Sequence, residues 1–339
     1  MTGDTASDDF TFSTLNTSII NITTDSNNPA EMNAAPVLLL FVVGVGGNII
    51  ALTVLLLTAK SHNWKPFYRF VFGLAITDGG GLLLSLPVSL SIYASEFQRE
   101  LSPALCGYQM FMIMFTLMSS AMIVCGMSFD RFFATFYPFQ YNRPYKQIRT
   151  NIVLTVIWGL SALISSLPLF GLGSSRKFYR GCFMNFIETT IELNRIDAII
   201  YASIGVIIVM ATWAFNIAVI GYFIYKRYTG ESTWSGWKDM HVIIFLLTVV
   251  VLFTLCWLPF MVNILQHANF ALPETAGKTE LLLTRLSITN SVVDPWIYII
   301  LRREIYSSLM ACVRRVYHRG RASHTTWDQS SGDKLENLT

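Results

Sequence analysis

Seven long apolar stretches dominate this chain of 339 residues, at about 36–58, 67–93, 104–136, 148–170, 196–225, 240–267 and 281–301. Each is long enough for a helix to cross a bilayer, which takes roughly 20 residues. In hydrocarbon a single spanning segment must satisfy its own backbone hydrogen bonds, so each stretch is expected to be helical. The expected fold class is therefore all-α, a membrane bundle of seven transmembrane helices. Composition agrees, with 53% hydrophobic and 13% charged residues, against about 25% charged in a soluble domain.

An odd number of spans puts the termini on opposite sides. Residues 1–34 hold no Lys or Arg but carry Asp4, Asp8, Asp9, Asp25 and Glu31. The basic clusters Lys60/Lys65/Arg69, Arg143/Lys146/Arg149, Lys226/Arg227/Lys238 and the run from Arg302 to Arg321 fall in alternate loops. Lys and Arg favour the cytoplasmic side, so the N-terminus is expected outside and the C-terminus inside, in the plasma membrane. No apolar core precedes residue 35, and the first helix is expected to serve as the insertion signal. Two sequons in the outer tail, at Asn16 and Asn21, are expected to be glycosylated, whereas Asn337 on the inner side should stay bare.

These features divide the chain into an outer tail (1–34), a membrane domain (35–302), an amphipathic surface helix (303–317) and a disordered inner tail (318–339). The surface helix has Ile305, Leu309 and Val313 at helical spacing among basic residues. Its Cys312 is either a palmitoylation site or a free thiol. Of the remaining cysteines, Cys125 and Cys256 lie in mid-membrane, and only Cys106 and Cys182 face an oxidising compartment. A disulfide between those two would pin the second outer loop across the bundle mouth.

The seventh segment is the least apolar and the most informative. It contains Arg285, Asn290 and the run Asp294-Pro295-Trp296-Ile297-Tyr298. Ionisable groups at membrane depth are costly and tend to mark sites. A proline in mid-helix breaks the hydrogen-bond ladder, and other groups must compensate. Arg285 stands ten positions before Pro295, one to two turns beneath the outer surface. Its guanidinium can hold a carboxylate by paired hydrogen bonds, as a lipid-like acid would require. The plainer alternatives are that it snorkels to headgroups or pairs with Glu280.

Several positions converge across the spans: Gly47-Asn48, Asp78, Cys106, Asp130-Arg131-Phe132, Trp158, Cys256-Trp257-Leu258-Pro259 and Asp294-Pro295-x-x-Tyr298. In this order and spacing the chain resembles the rhodopsin-like (class A) G-protein-coupled receptors over its whole membrane domain. The stretches Leu74-Ala75-Ile76-Thr77-Asp78 and Arg285-Leu286-Ser287-Ile288-Thr289-Asn290 are similar to those of the prostanoid receptors. Gly171-Leu172-Gly173-Ser174-Ser175-Arg176, with Asn216 and no proline in the fifth helix, is most similar to the cAMP-raising prostaglandin E2 receptors. Two other receptor types are excluded by position. Amine receptors need an acid where Ile113 stands, and opsins need a lysine where Ile288 stands.

The resemblance implies a receptor for a prostaglandin-like lipid acid, coupling to a stimulatory heterotrimeric G protein, with arrestin as a further partner. It implies that Tyr93 shares the ligand carboxylate with Arg285. Ser89, one turn away, either joins them or simply bonds a neighbouring helix. Asp78, Ser120, Asn290 and Asp294 match the family's mid-bundle polar cluster, which holds sodium or water or staples the helices. Arg131 is the implied switch, neutralised by Asp130 and locked in the resting state to Asp239, which is otherwise only a helix-start charge. Trp257 and Pro259 would supply a rotor and a kink below the ligand, while Asp294, Pro295 and Tyr298 support the open state.

The chain departs from the prostanoid pattern in three places. Tyr179-Arg180-Gly181-Cys182 lacks the Thr-Trp pair expected before the loop cysteine, Gly79-Gly80-Gly81 interrupts the second helix, and the loop 229–238 is short. A receptor for another anionic lipid and a membrane transporter are the alternatives. The transporter is disfavoured because the ionisable groups form no continuous path and no repeat relates the two halves. No nucleotide loop, metal-spaced His cluster or Ser/His/Asp set points to an enzyme or to a cofactor beyond sodium at Asp78, and nothing suggests nucleic-acid binding.

Overall fold

The computed structural model describes residues 34–95, 101–142, 144–178, 181–186, 191–229, 237–270 and 276–301. Asn16, Asn21, the 303–317 segment with Cys312 and the inner tail lie outside these residues. The described chain is built on long helices: α1 (Ala35–Leu57), α2 (Pro66–Ala94), α3 (Pro103–Phe136), α4 (Lys146–Ser166), α5 (Glu192–Tyr228), α6 (Trp237–Asn269) and α7 (Ala276–Leu301). Six of the described helices are long and apolar enough to cross a membrane. The seventh segment is fully helical, but its polar residues keep it below that apolar standard. Their positions explain why: Ser287, Asn290, Ser291 and Asp294 are all buried between helices rather than turned to lipid.

Local chemistry sets the helix starts. Pro66 and Pro103 occupy the first turns of α2 and α3, where a missing N–H costs nothing. Ser102 caps α3 by accepting from the Leu105 N–H at 3.3 Å. Helix α3 runs through the middle of the bundle, and its Met110, Met114, Met118 and Met127 pack in the core. Thioether side chains suit such irregular gaps. The outward faces of α1 and α4 carry Leu39, Leu57, Ile152 and Leu163, all exposed as lipid-facing residues should be.

The triple glycine does not break α2. A Cβ on Gly79 would stand 2.9 Å from Asn48, and one on Gly81 would collide with Thr116. Two of the three glycines thus let α1 and α3 approach α2 closely, as small residues do in membrane bundles. Gly80 faces nothing, and no packing reason for it is present.

Beside each interior proline a backbone carbonyl accepts from another helix. Pro295 frees the carbonyl four residues back, and that carbonyl, of Ser291, accepts from Asn48 Nδ2 at 3.0 Å. Gly47 beside it lets α1 come against Pro295 and Trp296. Near Pro259, the Cys256 carbonyl accepts from the Ser287 hydroxyl at 3.1 Å. Near Pro87, the Leu84 carbonyl accepts from Tyr108 OH at 3.2 Å. The carbonyl that Pro295 frees is therefore met from α1, and the carbonyls one residue past those freed by Pro259 and Pro87 accept from α7 and α3.

One feature has no counterpart in the apolar pattern: a hairpin of β1 (Ser175–Phe178) and β2 (Gly181–Met184), antiparallel, with Lys177 opposite Cys182. Gly171 and Gly173 precede it with φ of 91° and 115°, a left-handed backbone that glycine adopts without strain. The disulfide Cys106–Cys182 ties β2 to the outer end of α3.

Two stability measurements follow from this packing. Asn48→Leu leaves the Ser291 carbonyl unpaired in hydrocarbon and is expected to cost about 1–3 kcal/mol, read as a lower unfolding temperature in detergent. Cys182→Ser opens a loop spanning 76 residues. It is expected to cost about 2–5 kcal/mol and to abolish the effect of reductant on unfolding.

Candidate functional site

The outer half of the bundle brings the seventh-helix arginine and the second-helix tyrosine together. Arg285 is half-buried, and its Nη2 donates to Tyr93 OH at 2.7 Å. The guanidinium is thus turned toward α2, not into the surrounding lipid. The Tyr93 ring packs on an apolar cluster of α1, α2 and α7 that includes Val37, Leu86 and Val292. Packing of this kind holds the phenol, and hence the arginine, at one place.

Ser89 lies one turn before Tyr93, and its hydroxyl accepts from Gln109 Nε2 at 2.7 Å. The plain interhelical bond anticipated for Ser89 is therefore present. Gln109 was not legible as a site residue. It is buried, and its carbonyl oxygen accepts from the Cys182 N–H at 3.4 Å. A single glutamine thus joins α2, α3 and the disulfide-bonded hairpin. Its only signal in the sequence is an amide three positions after Cys106 in an apolar run.

Beneath the hairpin the packing is apolar. Phe183 and Phe186 run from β2 into the bundle, 6.0 and 6.3 Å from the Phe260 ring, and Phe186 lies 5.7 Å from Tyr201. One turn below Phe260, Trp257 is buried and stacks on Phe253 at 5.5 Å. A Cβ on Gly205 of α5 would stand 2.9 Å from the Trp257 ring, so this glycine makes room for the indole. Ile113 and Ile288, the positions that exclude amine receptors and opsins, line a small gap between α2, α3 and α7.

Deeper still, Asp78 and Asp294 are both buried. Ser120 Oγ donates to Asp78 Oδ1 at 2.5 Å, and Asn290 Nδ2 donates to Asp294 Oδ2 at 2.8 Å. All four predicted members of the polar cluster are therefore in place on α2, α3 and α7. The second Asp78 oxygen, Oδ2, is buried without a hydrogen bond of ordinary geometry, although the Ser291 hydroxyl is near. Two buried acids with no base beside them among the described residues need a proton, water or cation. The donor set, carboxylate and hydroxyl oxygens, suits a hard monovalent ion.

At the inner end, Arg131 bonds its neighbour Asp130 at 3.1 Å and lies 4.9 Å over the Phe67 ring. Tyr141 OH donates to the same carboxylate at 3.2 Å. Burial, and then the Asp130 charge, push the Tyr141 phenol up to about 12, so it stays a donor at all physiological pH. Asp239 falls in α6, but its side chain lies outside those described, and so does any Arg131–Asp239 ion pair. Tyr298 is buried and reaches from α7 toward Met127 Sδ of α3 at 3.8 Å. Asn216, flagged in the fifth helix, donates to the Ser128 hydroxyl of α3 at 2.8 Å.

This geometry can be set beside known proteins. Residues 47–298 match the model of the 7 transmembrane receptor (rhodopsin family). The prostaglandin E2 receptor EP4 subtype of Mus musculus is 24% identical, over 87% of this chain and 67% of its own length. The prostaglandin D2 receptor of Bos taurus is 28% identical over 83% and 88% of the two chains. The thromboxane A2 receptor of Homo sapiens is 26% identical over 79% and 83%. A crystal structure of squid rhodopsin superimposes with a TM-score of 0.71 at 18% identity, covering 86% of this chain and 88% of that one. The chain is thus a multi-pass membrane protein that belongs to the rhodopsin family of seven-transmembrane receptors, with prostanoid receptors among its relatives.

Proposed function

We propose that this chain is a plasma-membrane receptor for a prostaglandin-like lipid acid, with prostaglandin E2 as the best candidate ligand. It couples to a stimulatory G protein and raises cAMP, with the N-terminus outside and the C-terminus inside. The observation that carries the reading is the Arg285–Tyr93 pair, a charged donor and a phenol held together between α7 and α2 beside the disulfide-bonded hairpin. A carboxylate entering there gives the guanidinium an anionic acceptor that it can hold by two parallel hydrogen bonds, where the phenol offers one neutral oxygen. The packed rings of Phe183, Phe186 and Phe260 offer an apolar cluster against which an acyl chain can lie once they repack. The prostanoid relatives support the same ligand class.

Activation is a shift of population. A ligand moves the resting–active equilibrium only by its difference in affinity for the two states. An acid anchored on Arg285 reaches α2, α3, α6 and α7, and repacks the side chains around Trp257. The buried cluster of Asp78, Ser120, Asn290 and Asp294 holds a sodium ion in the resting state. Release of Arg131 from Asp130 and movement of α6 then open the inner face to the G protein.

Cells expressing the chain are expected to raise cAMP in response to prostaglandin E2 within a prostanoid panel. Arg285→Ala should weaken the response about 10- to 100-fold, the loss of a hydrogen bond to a charged group. Tyr93→Phe should weaken it about fivefold. Surface-expressed receptor that answers no prostanoid would remove the ligand assignment, and a response to other lipid acids alone would replace it. Sodium should lower agonist affinity in the wild type and have no effect in Asp78→Asn, as read by competition binding with sodium or N-methylglucamine.

A further inference from the structure

A crevice of about 190 Å³ opens between α2, α3 and α4 on the inner half of the bundle, away from the ligand site and the polar cluster. Phe70, Phe129, Phe133 and Val153 form its walls, and Asp130 and Arg149 its polar edge. Gly126 creates the space, since a Cβ there would stand 3.1 Å from the Phe70 ring and 3.5 Å from Ile157. Phe129 is 47% exposed, so the crevice opens sideways, toward lipid.

The two charges at its edge differ in availability. The Asp130 carboxylate is already held by Arg131 and by Tyr141. Arg149 is exposed, and its guanidinium plane lies 4.9 Å over Phe133 and 5.6 Å over Tyr141. Such contacts use the face of the cation and leave its N–H edge for an acceptor. Lys146 follows the same helix face one turn earlier. The rim is therefore cationic and the walls are apolar.

We propose that this crevice is a binding site for an anionic phospholipid of the inner leaflet, one acyl chain in the groove and the headgroup on Arg149. Size favours this occupant. Pockets that enclose a drug-sized molecule measure roughly 300–1,000 Å³, so 190 Å³ accommodates part of a chain whose remainder stays in the bilayer. Charge favours it too, because the cytoplasmic leaflet carries the anionic lipids. The assignment rests on the cytoplasmic placement of the α3–α4 loop proposed above, and not on the identity of the ligand. The crevice coexists with the Asp130–Arg131 and Asp130–Tyr141 contacts, and an occupant favours the state that it binds. The lipid thus stabilises the resting latch and lowers basal signalling.

The test uses the full chain in phosphatidylcholine nanodiscs doped with photoactivatable phosphatidylserine or with phosphatidylcholine bearing the same photoactivatable chain. Cross-linked peptides are mapped by mass spectrometry. The serine lipid is expected to label the peptides holding Phe129, Phe133 and Val153 more than the choline lipid does. Arg149→Gln should cut that labelling about fivefold, the effect of one basic side chain near an anionic surface, and should leave choline-lipid labelling unchanged. Val153→Trp, which fills the groove from its α4 wall, should reduce labelling by both. Basal nucleotide exchange on an added G protein should be lower in phosphatidylserine discs for the wild type, and equal in both discs for Arg149→Gln. Equal labelling by the two lipids, or labelling indifferent to Arg149→Gln, overturns the site. Higher basal exchange with phosphatidylserine overturns the stabilised latch. Neither readout requires a prostanoid, so a failed ligand assignment leaves this result intact.

Discussion

A backbone carbonyl left without a donor in hydrocarbon is among the most costly things a membrane helix can contain. This chain carries interior prolines in α2, α6 and α7, and beside each of them a carbonyl accepts from another helix. Asn48 reaches from α1 to the Ser291 carbonyl, Ser287 from α7 to that of Cys256, and Tyr108 from α3 to that of Leu84. Each bond crosses between helices, so each bend is fixed by a neighbour rather than by the helix that bends. The bends then set what lies above them. Pro295 and Pro259 lie below Arg285 and Phe260, the residues proposed to meet the two ends of a ligand.

The same economy runs down the axis of the bundle. From the outer end inward come the Arg285–Tyr93 pair, the aromatic wall with Trp257, the Asp78–Ser120 and Asn290–Asp294 bonds, and the Asp130–Arg131–Tyr141 cluster. The three polar groups each involve α3, α7 or both, while the aromatic wall joins α5, α6 and the hairpin. Polar contacts are thus concentrated on the helices that pack centrally, while α1 and α4 turn Leu and Ile outward. A change at the top has a short physical route to the bottom through side chains on only a few helices. Helices with such cross-links tend to have discrete alternative packings rather than continuous ones.

Much of this was legible in the residues alone, for identifiable reasons. Apolar runs marked the spans because hydrocarbon leaves a lone segment no conformation but helix. Cys106 and Cys182 could be paired because Cys125 and Cys256 fall in the middle of apolar spans and Cys312 follows the last basic-flanked span. Arg285 stood out because a guanidinium at that depth needs a reason. Other features gave little signal. Which hydroxyl or amide meets a loosened carbonyl depends on how two helices are rotated about their axes, so Tyr108 and Ser287 read as ordinary polar positions. The hairpin was invisible because its strands are only four residues long and Gly171 and Gly173 look like a simple loop. Gln109 gives no signal because one amide in an apolar run carries no period. The seventh helix shows the converse: its polar content lowers its apparent fitness for the membrane, yet that content is what faces the bundle.

The central claim is that a half-buried guanidinium recognises the negative charge of a lipid acid. It is tested most directly by comparing prostaglandin E2 with its methyl ester, which removes the charge and keeps the chain, on the wild type and on Arg285→Ala in equilibrium binding. The account predicts that the wild type strongly prefers the free acid and that Arg285→Ala binds acid and ester alike. An ester that binds the wild type as tightly as the acid, or an acid preference that survives loss of Arg285, would contradict it.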